Sequence, residues 1–158
     1  MPKHNFEQNG FTIIEILIVL AIVALLSVVS FQSFGRINGS EAINKDAFQI
    51  ISVLRQARSL TLDSKNGNQY GVHLESSRVV LFEGSSYDPN STNNTIVSLS
   101  NRVTISSISL SGGGSDVVFE KVTGKTAKSG TVVISLINDN TQTKTITIYG
   151  TGLAEFNQ

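Results

Sequence analysis

One carboxylate set inside an unbroken apolar stretch is the first chemical feature of this chain. Glu15 lies in residues 11–31, FTIIEILIVLAIVALLSVVSF, where 17 of 21 residues are apolar and the exceptions are Thr12, Glu15, Ser27 and Ser30. If that stretch spans a bilayer, its carboxylate costs roughly 2.5–3.5 kcal/mol, and such groups usually have a partner and a function. No Lys or Arg stands between Lys3 and Arg36. A partner from another chain is therefore expected. The free amine at the start of a neighbouring, processed chain would serve.

The remaining residues offer little for catalysis. The 158-residue chain has no cysteine, which excludes disulfides, thiol chemistry and cysteine-based metal sites. Of its two histidines, His4 is near the start and His73 is alone in the main body, with no acid or nucleophile visibly placed, so it reads as a structural or surface residue. Serine and threonine are abundant, but a nucleophile needs a base. The chain is not expected to be an enzyme or to hold a cofactor. Asp88, Asn90, Asn93 and Asn94 could ligate calcium, yet they lack the acidic density of a strong site and read as a solvated loop. Lys121, Lys125 and Lys128 read as a solvated edge. Gly112-Gly113-Gly114 is a flexible loop, since no Lys-Ser/Thr follows to make a phosphate cradle. Twelve basic residues balance twelve acidic ones, so net charge calls for no nucleic acid.

Several elements must position Glu15. A helix over 11–31 is about 31 Å long, close to a bilayer's hydrocarbon thickness. A buried core helix would normally show a polar face, and this run has none. A secretory signal peptide would have a shorter apolar run ending in small residues. From Gln32 the chain becomes amphipathic: Ala47, Ile50, Ile51, Leu54, Ala57 and Thr61 recur at helical spacing, with Lys45, Asp46, Arg55 and Arg58 at other positions. No proline occurs between residues 3 and 88. The reading is one helix over about 11–63, roughly 80 Å long, ended by Lys65-Asn66-Gly67-Asn68. Gly35 and Gly39 mark either a small-residue packing face or, preferably, a point where the helix bends or melts.

Residues 67–158 hold 14 Ser and 11 Thr among 92 residues, with strand-like runs between turn signals. Tyr70–Leu74 and Arg78–Phe82 form an expected hairpin. Thr95–Leu99, Val103–Leu110, Asp116–Glu120, Thr131–Ile137 and Thr143–Tyr149 follow. Within Val103–Leu110 the apolar positions switch parity, which predicts a bulge near Ser106. Asn138-Asp139-Asn140 is an expected turn.

Gly10-Phe11-Thr12-Ile13-Ile14-Glu15, leading into the apolar run, resembles the N-terminus of type IV pilins and type II secretion pseudopilins. The resemblance implies an α+β pilin fold: a long N-terminal helix, membrane-spanning in its first half, packed on an antiparallel β-sheet domain. It implies a leader, residues 1–10, cut between Gly10 and Phe11 by prepilin peptidase, with N-methylation of Phe11. It implies that Glu15 neutralises the amine of Phe11 in an adjacent subunit and so sets register. The implied partners are prepilin peptidase, other pilin or pseudopilin subunits, the inner-membrane assembly platform, and membrane lipid before assembly. The implied location is the bacterial inner membrane, single-pass, with the globular domain outside the cytoplasm, and then the pilus or pseudopilus. The leader departs from the positive-inside pattern, because Lys3 is opposed by Glu7.

The expected organisation is leader 1–10, membrane and assembly helix 11–31, amphipathic half 32–66 and β-rich domain 67–158. Phe119…Gly124…Gly130-Thr131-Val132-Val133-Ile134…Ile146-Thr147-Ile148-Tyr149-Gly150 resembles the H-type domain of a minor pseudopilin and a T-type fimbrial minor pilin. That likeness implies a minor subunit. The alternative is a pilus-tip binding module, an adhesin or a DNA receptor. DNA-binding relatives use a Gly-Arg-rich tail, whereas Gly150-Thr151-Gly152-Leu153-Ala154-Glu155 has no arginine. Six basic and seven acidic side chains in 67–158 give a weak phosphate-binding term. Nucleic acid is not expected as a partner.

Overall fold

The computed structural model describes residues 10–63 and 67–156, with backbone alone over 28–38. The leader residues 1–9 and the Lys65-Asn66 part of the expected helix terminator lie outside them. The chain divides into two compact units, 1–38 and 39–158. Helix α1 is Ile13–Leu62, within two residues of the expected limits.

In the second unit, one face of α1 supplies the core. Ile43, Ala47, Ile50, Ile51, Leu54, Ala57 and Thr61 are buried, 0–3% exposed. Their spacing of three and four residues places them on one stripe. Gly39 also belongs to this packed face: a Cβ there would lie 2.7 Å from Leu136 Cδ1. The helix assignment runs through it, and glycine permits this close approach. The stripe ends at Thr61, whose hydroxyl donates to the Ala57 carbonyl at 2.9 Å and accepts from the Tyr70 amide at 2.9 Å. That hydroxyl ties the last turn of α1 to the first strand.

Eight strands follow: β1 Tyr70–Leu74, β2 Arg78–Glu83, β3 Thr95–Ser98, β4 Val103–Leu110, β5 Asp116–Val118, β6 Gly130–Leu136, β7 Asp139–Ile148 and β8 Ala154–Phe156. They are antiparallel throughout, as expected, but form two four-stranded sheets instead of one. The first has the order β3-β2-β1-β5 and the second β4-β6-β7-β8. The chain first passes to the second sheet between β3 and β4, and β5 returns to the first. At that first passage the Ser100 amide donates to Asp46 Oδ2 at 2.9 Å, which turns the chain at the helix before β4 begins. Asp46 was read as a polar-face residue, but only 1% of it is exposed.

The expected hairpin is present: β1 pairs with β2 from Tyr70↔Glu83 to Leu74↔Val79. The bulge also falls where parity switches, between Ile105 and Ser107 in the β4–β6 ladder, and Ser106 Oγ donates to the Val133 carbonyl. The last hairpin turns earlier than expected, at Ile137-Asn138, so β7 begins at Asp139. β8 was not expected; it adds to β7 through Ile146↔Phe156, Thr147↔Glu155 and Ile148↔Ala154. Both sheets contribute to one core, with Val72, Leu74, Val79 and Val117 from the first and Val132, Ile134, Ile146 and Ile148 from the second.

Candidate processing and assembly site

The expected site lies in the first unit, where α1 begins. Thr12 precedes the helix, and its Oγ1 accepts a hydrogen bond from the Glu15 amide at 3.2 Å. The Thr12 carbonyl accepts the first intrahelical bond, from the Ile16 amide at 3.2 Å. Thr12 is thus an N-cap, and Thr12-Ile13-Ile14-Glu15 has the spacing of a capping box. This role of Thr12 was not among the sequence expectations, although the T-x-x-E spacing carries it. The cap fixes Glu15 at the third helical position, in the first turn. A carboxylate there also complements the positive end of the helix dipole.

Upstream, the backbone is open. Nothing lies within 4 Å of where a Cβ would stand on Gly10, and Phe11 is 80% exposed. Among the described residues, nothing packs on the Gly10–Phe11 peptide. Downstream, the large apolar residues from Ile13 to Leu26 are 47–83% exposed. Ser27 interrupts them without leaving a free donor, since its hydroxyl bonds the Val23 carbonyl at 2.7 Å. Among the described residues Glu15 makes no ion pair. The site is a capped helix start carrying one carboxylate, with an apolar cylinder beyond it.

The family model described as a prokaryotic N-terminal methylation motif matches residues 6–31. The N-terminus is similar to that of type IV pilin-like chains. No curated protein and no solved structure matches the chain significantly. The motif implies a prepilin-peptidase substrate that assembles with other pilin-type subunits, membrane-anchored first and pilus-associated later. It indicates a structural subunit, not an enzyme. The α+β arrangement is consistent with the pilin fold. Among the described residues no helix is long and apolar enough to cross a membrane.

The other residues singled out from sequence have local duties. His73 was read as lacking an acidic neighbour; instead its Nδ1–H donates to Asp116 Oδ1 at 2.5 Å, and Glu75 Oε1 lies 3.9 Å from Nε2. β5 pairs beside β1 and brings Asp116 opposite His73, although 43 residues separate them. The imidazole also stacks on Tyr87, with ring centres 4.0 Å apart. Arg78 hydrogen-bonds Glu75 at 2.7 and 3.0 Å and so holds its carboxyl below the ordinary value.

The supposed calcium side chains staple their own loop. Asp88 Oδ1 accepts from the Asn90 amide, Asn94 Nδ2 donates to the Asp88 carbonyl, and Asn93 Nδ2 donates to Glu83. No cluster of three His, Cys, Asp or Glu side chains fit for a metal exists among the described residues. Lys121 Nζ bonds the Gly67 carbonyl. Lys128 Nζ donates to the carbonyls of Gly112 and Gly113 in the glycine loop.

Proposed function

We propose that the chain is a minor pilin or pseudopilin of a type IV pilus or type II secretion pseudopilus. Prepilin peptidase cuts between Gly10 and Phe11, and Phe11 becomes the methylated N-terminus. The apolar helix of residues 11–31 anchors the subunit in the inner membrane as a single span, with residues 67–158 outside the cytoplasm. The assembly platform then transfers it to the filament, where that helix packs against its copies.

Glu15 neutralises the new amine of Phe11 in an adjacent subunit. In a dry filament core, an axial shift would leave either charge unpaired at considerable cost, so the pair sets register. The H-type likeness of the C-terminal strands and the absence of cysteine support a minor subunit. The observation that carries this reading is the capped helix start at 12–15 joined to an exposed apolar run, inside the matched motif.

Mass spectrometry of the chain from a host with the peptidase is expected to show an N-terminal methylated Phe11. An intact Met1 leader overturns the reading. Glu15→Ala is expected to insert into the membrane normally and to leave filaments, which a pull-down of sheared filaments would reveal.

A further inference from the structure

Two turns interlock around Arg58 at the C-terminal end of α1. Arg58 is half-buried, and its Nε donates to the Gly124 carbonyl at 3.0 Å. A Cβ on Gly124 or on Gly152 would lie 3.0 Å from that Nε, so the two glycines form a clasp that admits the guanidinium. Its two Nη groups have no carboxylate or carbonyl partner among the described residues. A guanidinium held by its Nε offers a preset fork to a carboxylate.

Val122 stands on the first of these turns. Among the described residues it is the one non-glycine residue with positive φ, 69°. The Thr123 amide donates to the Lys121 carbonyl at 2.7 Å across it, and the Gly124 amide donates to the Glu120 carbonyl at 2.9 Å. This is a γ-turn of the rare, strained hand, and a β-branched residue suits it poorly. Internal packing does not explain the choice, because Val122 is 85% exposed. Strain of this kind clusters at functional positions. Leu153, next to Gly152 on the second turn, is 56% exposed, so each turn sets an apolar side chain beside the cation.

The other end of the same unit carries a counterpart. In residues 39–158 every carboxylate but Glu41 and Asp63 has a hydrogen-bond partner among the described residues. Glu41 is exposed and lies about 25 Å along α1 from Arg58. Beside it, Ser40, Ile43 and Asn44 border a hollow of about 230 Å³, with residues 141–144 of β7 as the other wall. Asp63 is at the Arg58 end. Three partners for Arg58 can be compared. A phosphate polymer or a headgroup surface would call for several cations, and Asp63 and Glu120 belong to this end. Two copies meeting by like ends would pair Arg58 with Asp63 and stop at a dimer. Opposite ends, joined Arg58 to Glu41, repeat without stopping.

We propose that copies of this chain join head to tail, Arg58 of one pairing with Glu41 of the next, with Val122 seated in the hollow beside that glutamate. The inference rests on the filament-subunit reading, since a contact that repeats without closing is what a filament requires.

The chain has no cysteine, so introduced thiols are unique. Thr151→Cys marks the Arg58 end and Ser40→Cys the Glu41 end, both at exposed positions. The full chain is expressed in a pilus-assembling host that has the peptidase, and a short bis-maleimide is applied to membranes and to sheared filaments. The chain with both thiols is expected to give a ladder of dimers, trimers and longer species, and either thiol alone no dimer. Glu41→Arg is expected to cut the ladder about tenfold, and Arg58→Glu added to it should restore the ladder. Val122→Asn, which suits positive φ, should raise the unfolding midpoint yet weaken the ladder severalfold, whereas a purely structural Val122 would leave the ladder unchanged. If Arg58→Glu unfolds, Glu41→Arg and Val122→Asn decide, because both positions are exposed. The proposal is overturned if the two-thiol chain gives no ladder, if Thr151→Cys alone gives dimers, or if Glu41→Arg ladders as the parent does. Mass spectrometry of Phe11 in the same samples separates the two readings. Methylated chain in filaments without a ladder overturns this inference alone. An intact leader overturns the filament reading, and a ladder found with it on membranes still supports the head-to-tail contact.

Discussion

The two halves of α1 are built from similar residues and meet opposite fates. In residues 13–26 the large apolar side chains stand exposed on every side. In residues 43–61 they form one stripe buried against two sheets. Hydropathy alone would rank the first half as the better core. The second half is core because its polar residues are sorted to the other side, which lets a sheet cover one face. The first half has no such sorting, and no side of it is suited to water. The contrast teaches that an apolar helix without a polar face is not a poorer core helix. This one lies within the matched N-terminal methylation motif, which implies membrane anchoring and later association with other pilin-type subunits.

Substitutions can break that contrast. The largest effect is expected at Leu54, wholly buried on the stripe. Leu54→Ala should cost about 2–5 kcal/mol in denaturant unfolding of the micellar chain, whereas Leu20→Ala should stay within about 0.5 kcal/mol. Equal costs would mean that the exposed half has a partner within the fold, and the comparison would fail. Next comes Asp46, the buried acid on the packed half. Asp46→Ala leaves the Ser100 amide unpaired and should cost about 1–3 kcal/mol, while Asp46→Asn should recover much of the loss because an amide oxygen can still accept.

A smaller effect is expected at the exposed end. Thr12→Ala removes the N-cap and should cost about 1 kcal/mol of local helix stability. It should appear as faster amide exchange at Glu15 and Ile16 with the sheet unfolding unchanged, and Thr12→Ser should restore it. The smallest is electrostatic. Arg78 holds the folded Glu75 carboxyl below its ordinary value of 4.5. The stabilisation is therefore complete above that value and fades as pH falls through the lowered one. Acid melting curves of Arg78→Ala should lose this component, and curves of the Leu20→Ala chain should keep it.

Much of this was legible in sequence, and the failures have physical reasons. All six stripe residues from Ala47 to Thr61 were readable because helical periodicity reports burial directly. The bulge at Ser106 was readable because an inserted residue must reverse strand parity. Asp46 was missed because its position in the pattern matches a solvated acid, and only the Ser100 turn makes it a buried acceptor. The division into two sheets was missed because a period of two says which face is buried and nothing about which strand lies alongside. The same ignorance of neighbours hid the bond between His73 and Asp116. At the candidate site, Gly10, Phe11 and Glu15 were legible as a motif. The cap at Thr12 is legible only in the T-x-x-E spacing to Glu15, because a threonine at the edge of an apolar run carries no polar signal of its own.

The order β3-β2-β1-β5 has a consequence for how the chain reaches this state. β1 finds one neighbour at once, across a three-residue turn, but its other neighbour is β5, beyond the whole of β4. A chain that emerges from the N-terminus forward must carry β1 with one edge open until residues 116–118 arrive. An open strand edge is a template for pairing with any other chain nearby. Until β5 closes that edge, β1 is a site where the chain can pair wrongly.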